Sequence, residues 1–288
     1  MRYVTLAIVL ASFLLGACQD NETVITPEPI GKILGRRQLG LNRTPPEGLA
    51  KIKLAEKSSY TGKLPTSFNL KMPPPEPTGQ SNEGACVAWA TAYAARSFYQ
   101  NNNFVNPDET INYSSVFSPE YVYNQIRISS DCEKGAYFVT TDKHLGALDL
   151  LVEQGVCLWK DMPYTDVSCK ELPNPHQKAL ATSYRIASYA KVEGFSAVEL
   201  KKLLLKQPIL VGVNSDDGFE NANAQFIWKS PIGNKTSGHA TVVIGFDDAK
   251  NAFKILNSWG NKWGDKGYSW LDYGYYNQVV FEAYILAL

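Results

Sequence analysis

The stretch GQSNEGACVAWATAYAARSFY, Gly79 to Tyr99, holds one cysteine, Cys86, where turn-forming residues give way to helix-forming ones. Apolar residues recur at helical spacing from Cys86 onward, which predicts a buried helix that begins at the thiol. The positive end of a helix dipole favours thiolate over thiol, so this position suits a nucleophile better than a packing residue. The alternative is a small buried apolar side chain, the commoner fate of a free cysteine.

The composition fits a globular protein and argues against nucleic-acid binding. The chain has 288 residues, 44% hydrophobic and 19% charged, enough for one large domain or two small ones. Lys+Arg and Asp+Glu both number 28, so the net charge is zero and no basic excess supports a nucleic-acid partner. No motif has metal-ligand spacing, and we expect neither a metal nor a cofactor.

The N-terminus MRYVTLAIVLASFLLGAC combines one arginine, an apolar run from Val4 to Leu15 and small residues. The run is too short to span a bilayer and is typical of a signal peptide. Its end, Leu15-Gly16-Ala17-Cys18, resembles the lipobox of bacterial lipoproteins, in which the chain is cut before the cysteine and the cysteine is acylated. We expect a signal peptide at 1–17 and a lipid on Cys18. The alternative is an ordinary secretory signal with an incidental cysteine.

A lipid on Cys18 would tether the protein to an envelope membrane, since each buried methylene contributes roughly 0.8 kcal/mol. We expect the outer membrane, and the start CQDNE resembles the surface-export tags of some lipoproteins. Residues 18–63 are polar with scattered prolines, which indicates a lipidated tether and a short pro-segment or cap. The globular domain, expected to be a monomer, begins near Leu64 and runs to residue 288.

Three further cysteines, Cys132, Cys157 and Cys169, follow Cys86. Outside the cytoplasm a disulfide among them is plausible, and an odd number allows only one pair. We expect Cys132–Cys169, with Cys157–Cys169 as the alternative.

Helical patterns precede strand patterns along the chain. SPEYVYNQI has a serine N-cap followed by proline, and LGALDLLVEQG is an amphipathic helix closed by glycine. Short β-branched and aromatic runs follow from about Tyr184, with one helix among them. Segregated helices and strands predict an α+β fold with a cleft where the halves meet. The predicted elements are helices at 118–126, 145–155 and 197–206 and strands at 208–213, 226–228, 239–247, 252–259 and 267–273.

One of the three histidines is placed to act as a base for Cys86. His144 precedes a helical stretch and His176 lies in a loop, so both suit solvated or capping roles. His239 begins a strand, and Asn257 ends another strand eighteen residues later. Adjacent strands could bring the two together, where a carboxamide oxygen can orient an imidazole.

Gln80, Cys86, His239 in GHA and Asn257 in NSWGNKWGDKGY together resemble the papain family of cysteine peptidases. The resemblance runs from about Leu64 to the C-terminus, with the motifs in the family's order. It implies a two-lobed α+β fold with the active-site cleft between the lobes. The helical left lobe would cover about 79–180, and an antiparallel β-barrel-like right lobe would cover about 181–288.

The resemblance also implies roles for matched residues. Cys86 would attack the peptide carbonyl as thiolate, and His239 would pair with it and protonate the leaving amine. Asn257 would orient His239, and Trp259 would shield their hydrogen bond. The side chain of Gln80 and the backbone N–H of Cys86 would form the oxyanion hole.

Substrate contacts and departures from the family pattern are also expected. Gly135 is the nearest equivalent of the glycine-rich strand that binds substrate. Gly238, beside the expected catalytic histidine, and Trp259 are assigned to substrate binding too. Glu83 and Val87 replace the family's usual cysteine and aromatic residue. The long helical inhibitory pro-segment of plant and animal relatives cannot fit before Leu64.

We therefore expect a cysteine peptidase that hydrolyses peptides or proteins through a thioester acyl-enzyme, held on the bacterial cell envelope. One alternative is a thiol amidase or transpeptidase with the same acyl-enzyme chemistry. The other is an inactive module that only binds peptides.

Overall fold

The computed structural model describes residues 38–140 and 145–288. The predicted signal peptide, Cys18 and His144 lie outside these residues. Within the described part, no helix is long and apolar enough to cross a membrane.

Helix α2 begins at Cys86, as the sequence predicts, and every one of its residues is buried. It is α-helical over Cys86–Ala88 and continues with π-helical hydrogen bonding over Trp89–Arg96. Its alanines let neighbouring elements approach closely, and its aromatic residues fill the space between them. The other helices of the described residues are α1 Pro46–Leu49, α3 Pro119–Ile126, α4 Ala147–Glu153, α5 Pro175–Ala181, α6 Ala197–Leu204, α7 Asp217–Glu220 and α8 Tyr276–Val279, with 3₁₀ turns at Trp159–Asp161 and Thr182–Tyr184.

The predicted helix boundaries follow from local chemistry. The Ser118 side chain accepts a hydrogen bond from the Tyr121 N–H and so caps α3. Gly155, which follows α4, has φ +80°, a conformation that glycine adopts without strain and that ends the helix.

An eight-stranded sheet, mostly antiparallel, fills the second half of the described chain. Its strands are β2 Ser67–Asn69, β4 Ser188–Lys191, β5 Ile209–Asp216, β6 Ile227–Trp228, β7 Lys235–Asp247, β8 Ala252–Leu256, β9 Tyr268–Asp272 and β10 Val280–Ala287. Their order is β4-β10-β5-β7-β8-β9-β6, with β2 also paired to β7 and β6 parallel to β9. The sheet is open and does not close into a barrel. A separate parallel pair joins β1 Leu41–Asn42 to β3 Ala136–Tyr137.

The central strands are buried on both faces. Leu210 and Val242 pack with the helices of the first half, whereas Ile209, Val211 and Val243 pack in a second core that includes residues of α6. Because strand side chains alternate between faces, both faces must be apolar. Strand β7 passes beside the start of α2, where the Ala240 N–H contacts the Cys86 sulfur.

Candidate active site

Strands β7 and β8 bring His239 and Asn257 together. His239 Nε2 donates to Asn257 Oδ1 over 2.7 Å, and both residues are buried. The indole of Trp259 lies against the imidazole, with ring centroids 4.4 Å apart. The hydrogen bond fixes the orientation of the imidazole, and the indole covers one face of the ring.

Cys86 occupies the first turn of α2 and faces β7. Its Sγ accepts a hydrogen bond from the backbone N–H of Ala240, the residue after His239, over 3.5 Å. Burial raises the pKa of the Cys86 thiol to about 11, although the backbone N–H groups of Ala240 and Gly40 act to lower it. The thiol is therefore neutral at physiological pH in this conformation.

Gln80 is buried and held by Ser258. The backbone N–H of Gln80 donates to the Ser258 carbonyl over 2.7 Å, and the Ser258 hydroxyl donates to Gln80 Oε1 over 2.6 Å. These contacts leave Gln80 Nε2 as the donor, which bonds the carbonyls of Glu83 and Gln38 at 2.8 and 3.0 Å. Ser258 was not predicted from the sequence, although its position next to Asn257 in the NSWG motif is a usable signal.

The segment Gln38–Thr44 fills the cleft beside these residues. The Gln38 carbonyl accepts hydrogen bonds from Gln80 Nε2 and, over 3.3 Å, from Trp259 Nε1. The Ala136 N–H donates to the Gly40 carbonyl over 2.8 Å, in line with the parallel β1–β3 pairing. The chain's own N-terminal segment therefore occupies the space that a substrate would need.

Close backbone contact at Gly40 explains why glycine is required there. A Cβ on Gly40 would lie 1.9 Å from the carbonyl oxygen of Gly84, too close for any side chain. Gly135 and Gly238, both predicted to bind substrate, contact the same segment. A Cβ on Gly135 would lie 2.0 Å from the Gly40 carbonyl oxygen, and one on Gly238 would lie 2.2 Å from the Leu41 carbonyl oxygen.

The Leu41 side chain is buried in a pocket of the β lobe. A Cβ on Gly212 would lie 2.6 Å from Leu41 Cδ2 and close to the side chains of Phe281 and Glu282. Burial raises the pKa of the Glu282 carboxyl, whereas hydrogen bonds from Thr44 lower it. The cleft thus holds an apolar side chain beside a buried carboxyl.

The remaining predicted residues lie outside this constellation. Cys132 forms a disulfide with Cys169, and Cys157 is buried as a free thiol, so the alternative pair Cys157–Cys169 is not formed. His176 is exposed near the start of α5. One group of potential metal-ligating side chains occurs in the described residues, at Glu83, Cys132 and Cys169, but both sulfurs belong to the disulfide.

The family model for papain family cysteine proteases matches residues 76–287. The chain belongs to this family. The matched range contains Gln80, Cys86, His239 and Asn257, the four residues that the structure gathers in the cleft.

Curated relatives of the papain family are similar over part of their length. Chymopapain of Carica papaya is 28% identical over 197 residues, which covers 66% of this chain and 50% of chymopapain. Gamete and mating-type specific protein A of Dictyostelium discoideum is 27% identical over 214 residues, 70% of this chain and 41% of that protein. The chain therefore spans half or less of the length of these relatives.

Solved structures show that the fold is papain-like, as predicted. Xylellain, a cysteine protease from Xylella fastidiosa, superposes with a TM-score of 0.70 at 24% identity and covers 88% of this chain and 98% of xylellain. Digestive procathepsin L2 of Tenebrio molitor superposes with a TM-score of 0.66 at 18% identity, covering 92% of this chain and 81% of the procathepsin.

Proposed function

We propose that this chain is a cysteine peptidase that cleaves peptide bonds through a thioester acyl-enzyme. The observation that carries the proposal is a chain of contacts in the cleft. The Ala240 N–H, next to His239, contacts the Cys86 thiol, His239 bonds Asn257, and Ser258, next to Asn257, holds the Gln80 side chain. A nucleophile, an oriented base and a preorganised amide donor together supply the parts that acyl transfer needs.

In the first half of the reaction, His239 takes the thiol proton of Cys86 on the ring nitrogen that does not bond Asn257, and Cys86 attacks the substrate carbonyl carbon as thiolate. The resulting oxyanion accepts hydrogen bonds from Gln80 Nε2 and the Cys86 backbone N–H. His239, held through Nε2 by Asn257, delivers the proton from its other ring nitrogen to the leaving amine. The C–N bond then breaks and leaves the acyl group on sulfur.

In the second half, water attacks the thioester carbon. The imidazole of His239 takes a proton from this water, and the same two donors hold the oxyanion. The C–S bond breaks, the carboxylic acid leaves, and the proton returns to the Cys86–His239 pair.

The proposal includes latency, in which Gln38–Thr44 blocks the cleft without being a productive substrate. A substrate directs its leaving amine toward His239 and Trp259, so its chain must run toward Trp259. The segment runs the other way, with Gln38 at Trp259 and Leu41 on β3, and it pairs in parallel with β3. The Gln38 carbonyl accepts a hydrogen bond from Gln80 Nε2 and so occupies one donor of the proposed oxyanion hole.

The pocket around Leu41 supports a substrate preference. A substrate that ran along β3 in the direction opposite to Gln38–Thr44 would place one of its side chains where the Leu41 side chain now lies. That side chain belongs to the residue just before the one whose carbonyl is attacked. Gly212 leaves room for a branched apolar group there. We therefore propose peptides with leucine at that position as substrates.

The proposal also places the enzyme on the bacterial cell envelope, tethered through a lipid on Cys18. Its support is the apolar run and lipobox-like ending of the first eighteen residues. In cells, Cys18→Ala should shift the protein from the membrane fraction to the soluble fraction. A variant that remains membrane-bound would contradict the tether, and protection from added protease in intact cells would contradict surface exposure.

The proposed catalytic pair is tested with an epoxysuccinyl peptide, a thiol-directed inhibitor, followed by peptide mapping. We expect stoichiometric labelling of Cys86 once the cleft is open, and loss of labelling in His239→Ala. Folded protein with an open cleft that takes no label, or that is labelled equally well without His239, would contradict a thiolate–imidazole pair.

A further inference from the structure

Glu83, which stands where the family usually has a cysteine, is a buried acid beside the candidate oxyanion hole. Its exposed fraction is 3%, and its Oε1 has no hydrogen-bond partner among the described residues. Its Oε2 lies 2.9 Å from the hydroxyl of Tyr164. Both sulfurs of the Cys132–Cys169 disulfide lie within 4.8 Å of the carboxyl, so a neutral group packs on this side.

The Tyr164 hydroxyl also contacts Gln80, because it lies 2.9 Å from the Gln80 carbonyl oxygen. A phenol carries one hydrogen, so it can donate to only one of these two oxygens. If Glu83 is ionised, the carboxylate and the carbonyl compete for that hydrogen. If Glu83 is protonated, it can donate to Tyr164 while Tyr164 donates to Gln80, and both contacts are satisfied.

The turn that carries Gln80 depends on these contacts. Gln80 Nε2 donates to the Glu83 carbonyl, and Ser81 between them has φ +51°, an uncommon conformation for a residue other than glycine. Such a conformation persists only where neighbouring contacts hold it. The hydrogen bond from Tyr164 to the Gln80 carbonyl is one such contact.

The surroundings of Glu83 favour its protonated form. The charged groups near enough to affect Glu83 are Glu120 of α3 and Asp166, and both are acidic. The Tyr123 side chain of α3 also faces Glu83. Burial, first, and then these acids raise the pKa of Glu83 to about 7, although the hydrogen bond from Tyr164 lowers it. The carboxyl therefore holds its proton up to about pH 7 and loses it at higher pH.

We infer that Glu83 is a positioning residue of the oxyanion hole: its protonated carboxyl donates to Tyr164, which donates to the Gln80 carbonyl and fixes the Gln80 side-chain donor. The inference rests on the proposed peptidase function. Loss of the proton releases the Gln80 carbonyl from Tyr164, so kcat falls above neutral pH while substrate binding changes little.

The test is the pH profile of kcat and KM for peptide hydrolysis, measured on full chains that carry Gly40→Val to open the cleft. Glu83→Gln keeps a neutral donor at every pH, so its kcat should not fall near pH 7. At pH 8 about one tenth of the native carboxyls are protonated, so the ratio of kcat at pH 8 to kcat at pH 6 should rise up to about tenfold in the variant.

Two further variants separate positioning from packing. Tyr164→Phe keeps the ring on Trp89 but breaks the chain of hydrogen bonds, so kcat should fall below pH 7, where the native chain of bonds is intact, with KM nearly unchanged. The fall of kcat above pH 7 should disappear in this variant. Glu120→Gln removes a negative charge that raises the Glu83 pKa, so the fall in kcat should move to lower pH. Thermal unfolding of each variant verifies that the fold is kept.

The outcomes distinguish this inference from the proposed function. A parent chain that turns over peptides while Glu83→Gln keeps the native fall in kcat overturns the positioning role alone. The same holds if Tyr164→Phe raises KM and leaves kcat unchanged. A folded parent chain with an open cleft and no turnover overturns both proposals.

Discussion

The side-chain amide of Gln80 donates to the backbone carbonyl of Gln38 over 3.0 Å. The donor is the group expected to stabilise the oxyanion, and the acceptor belongs to a segment forty-two residues earlier in the chain. The active site is thus assembled and blocked in the same conformation. Opening the cleft should therefore require removal of this segment, with little rearrangement of the catalytic residues.

Gly40→Val should open the cleft. A side chain at residue 40 would collide with the Gly84 backbone, which cannot move without disturbing the start of α2. We expect the hydrolysis of a fluorogenic leucine-containing peptide to rise at least tenfold over the native chain. Gly274→Val is the control, because a Cβ there meets only a side-chain oxygen of Asp272 at 3.2 Å. Equal activity of the native and Gly40→Val chains would contradict latency.

The reactivity of Cys86 should depend on cleft opening. With the thiol pKa at about 11, roughly one molecule in ten thousand carries the thiolate at pH 7. Alkylation by iodoacetamide should therefore be slow in the native chain, and its rate should rise with pH through the whole range from 7 to 10. In Gly40→Val, water re-enters and the pKa falls, so alkylation at pH 7 should be about a hundred times faster.

Mass mapping of the alkylated residue supplies the control for this reactivity. Burial raises the pKa of Cys157, the other free thiol of the described residues, to about 12. It should stay unmodified in both chains. Rapid alkylation of Cys86 in the native chain at pH 7 would mean that the segment does not seal the cleft.

Asn257→Ala should reduce activity without abolishing it. The substitution removes the acceptor for His239 Nε2, so the imidazole loses its fixed orientation, but the thiol and imidazole remain. We expect kcat in the Gly40→Val background to fall about ten- to a hundredfold, whereas Cys86→Ala should abolish turnover. Complete loss in Asn257→Ala, with the fold intact, would indicate that Asn257 does more than orient the base.

Removal of the disulfide should destabilise the helical lobe. Cys132 and Cys169 are 37 residues apart in sequence, and their link constrains the unfolded chain, which typically contributes about 2–4 kcal/mol. The Cys132→Ser/Cys169→Ser double variant should unfold at lower denaturant concentration than the native chain. A reductant should shift the native midpoint toward that of the double variant and leave the double variant unchanged. A midpoint unaffected by either change would contradict a disulfide.

The elements with strong local signals were predictable from the sequence. The α3 boundary follows from the Ser118 cap, and β5, β7, β8 and β9 follow from apolar runs bounded by turn residues. The family motifs indicated the candidate catalytic residues, and the structure brings these residues to one cleft.

The occupied cleft was not predictable from local patterns. Leu41 and Asn42 form a two-residue strand whose partners, Ala136 and Tyr137, lie about ninety residues away, so no periodicity in the segment marks it. Strand β10 was missed because its alternation is interrupted by Glu282, whose carboxyl is buried next to Thr44. Both features depend on contacts that form only in the folded chain.

The most direct test of the central chemistry is trapping of the acyl-enzyme. Gly40→Val is mixed with an activated ester of a short peptide whose leucine directly precedes the acyl residue, quenched in acid within the first turnover and examined by intact mass and peptide mapping. We predict a mass increase equal to the acyl group on Cys86, absent in the Cys86→Ala variant. Ester or peptide turnover that persists in Cys86→Ala, with no adduct on Cys86 in the parent chain, would contradict the proposed thioester mechanism.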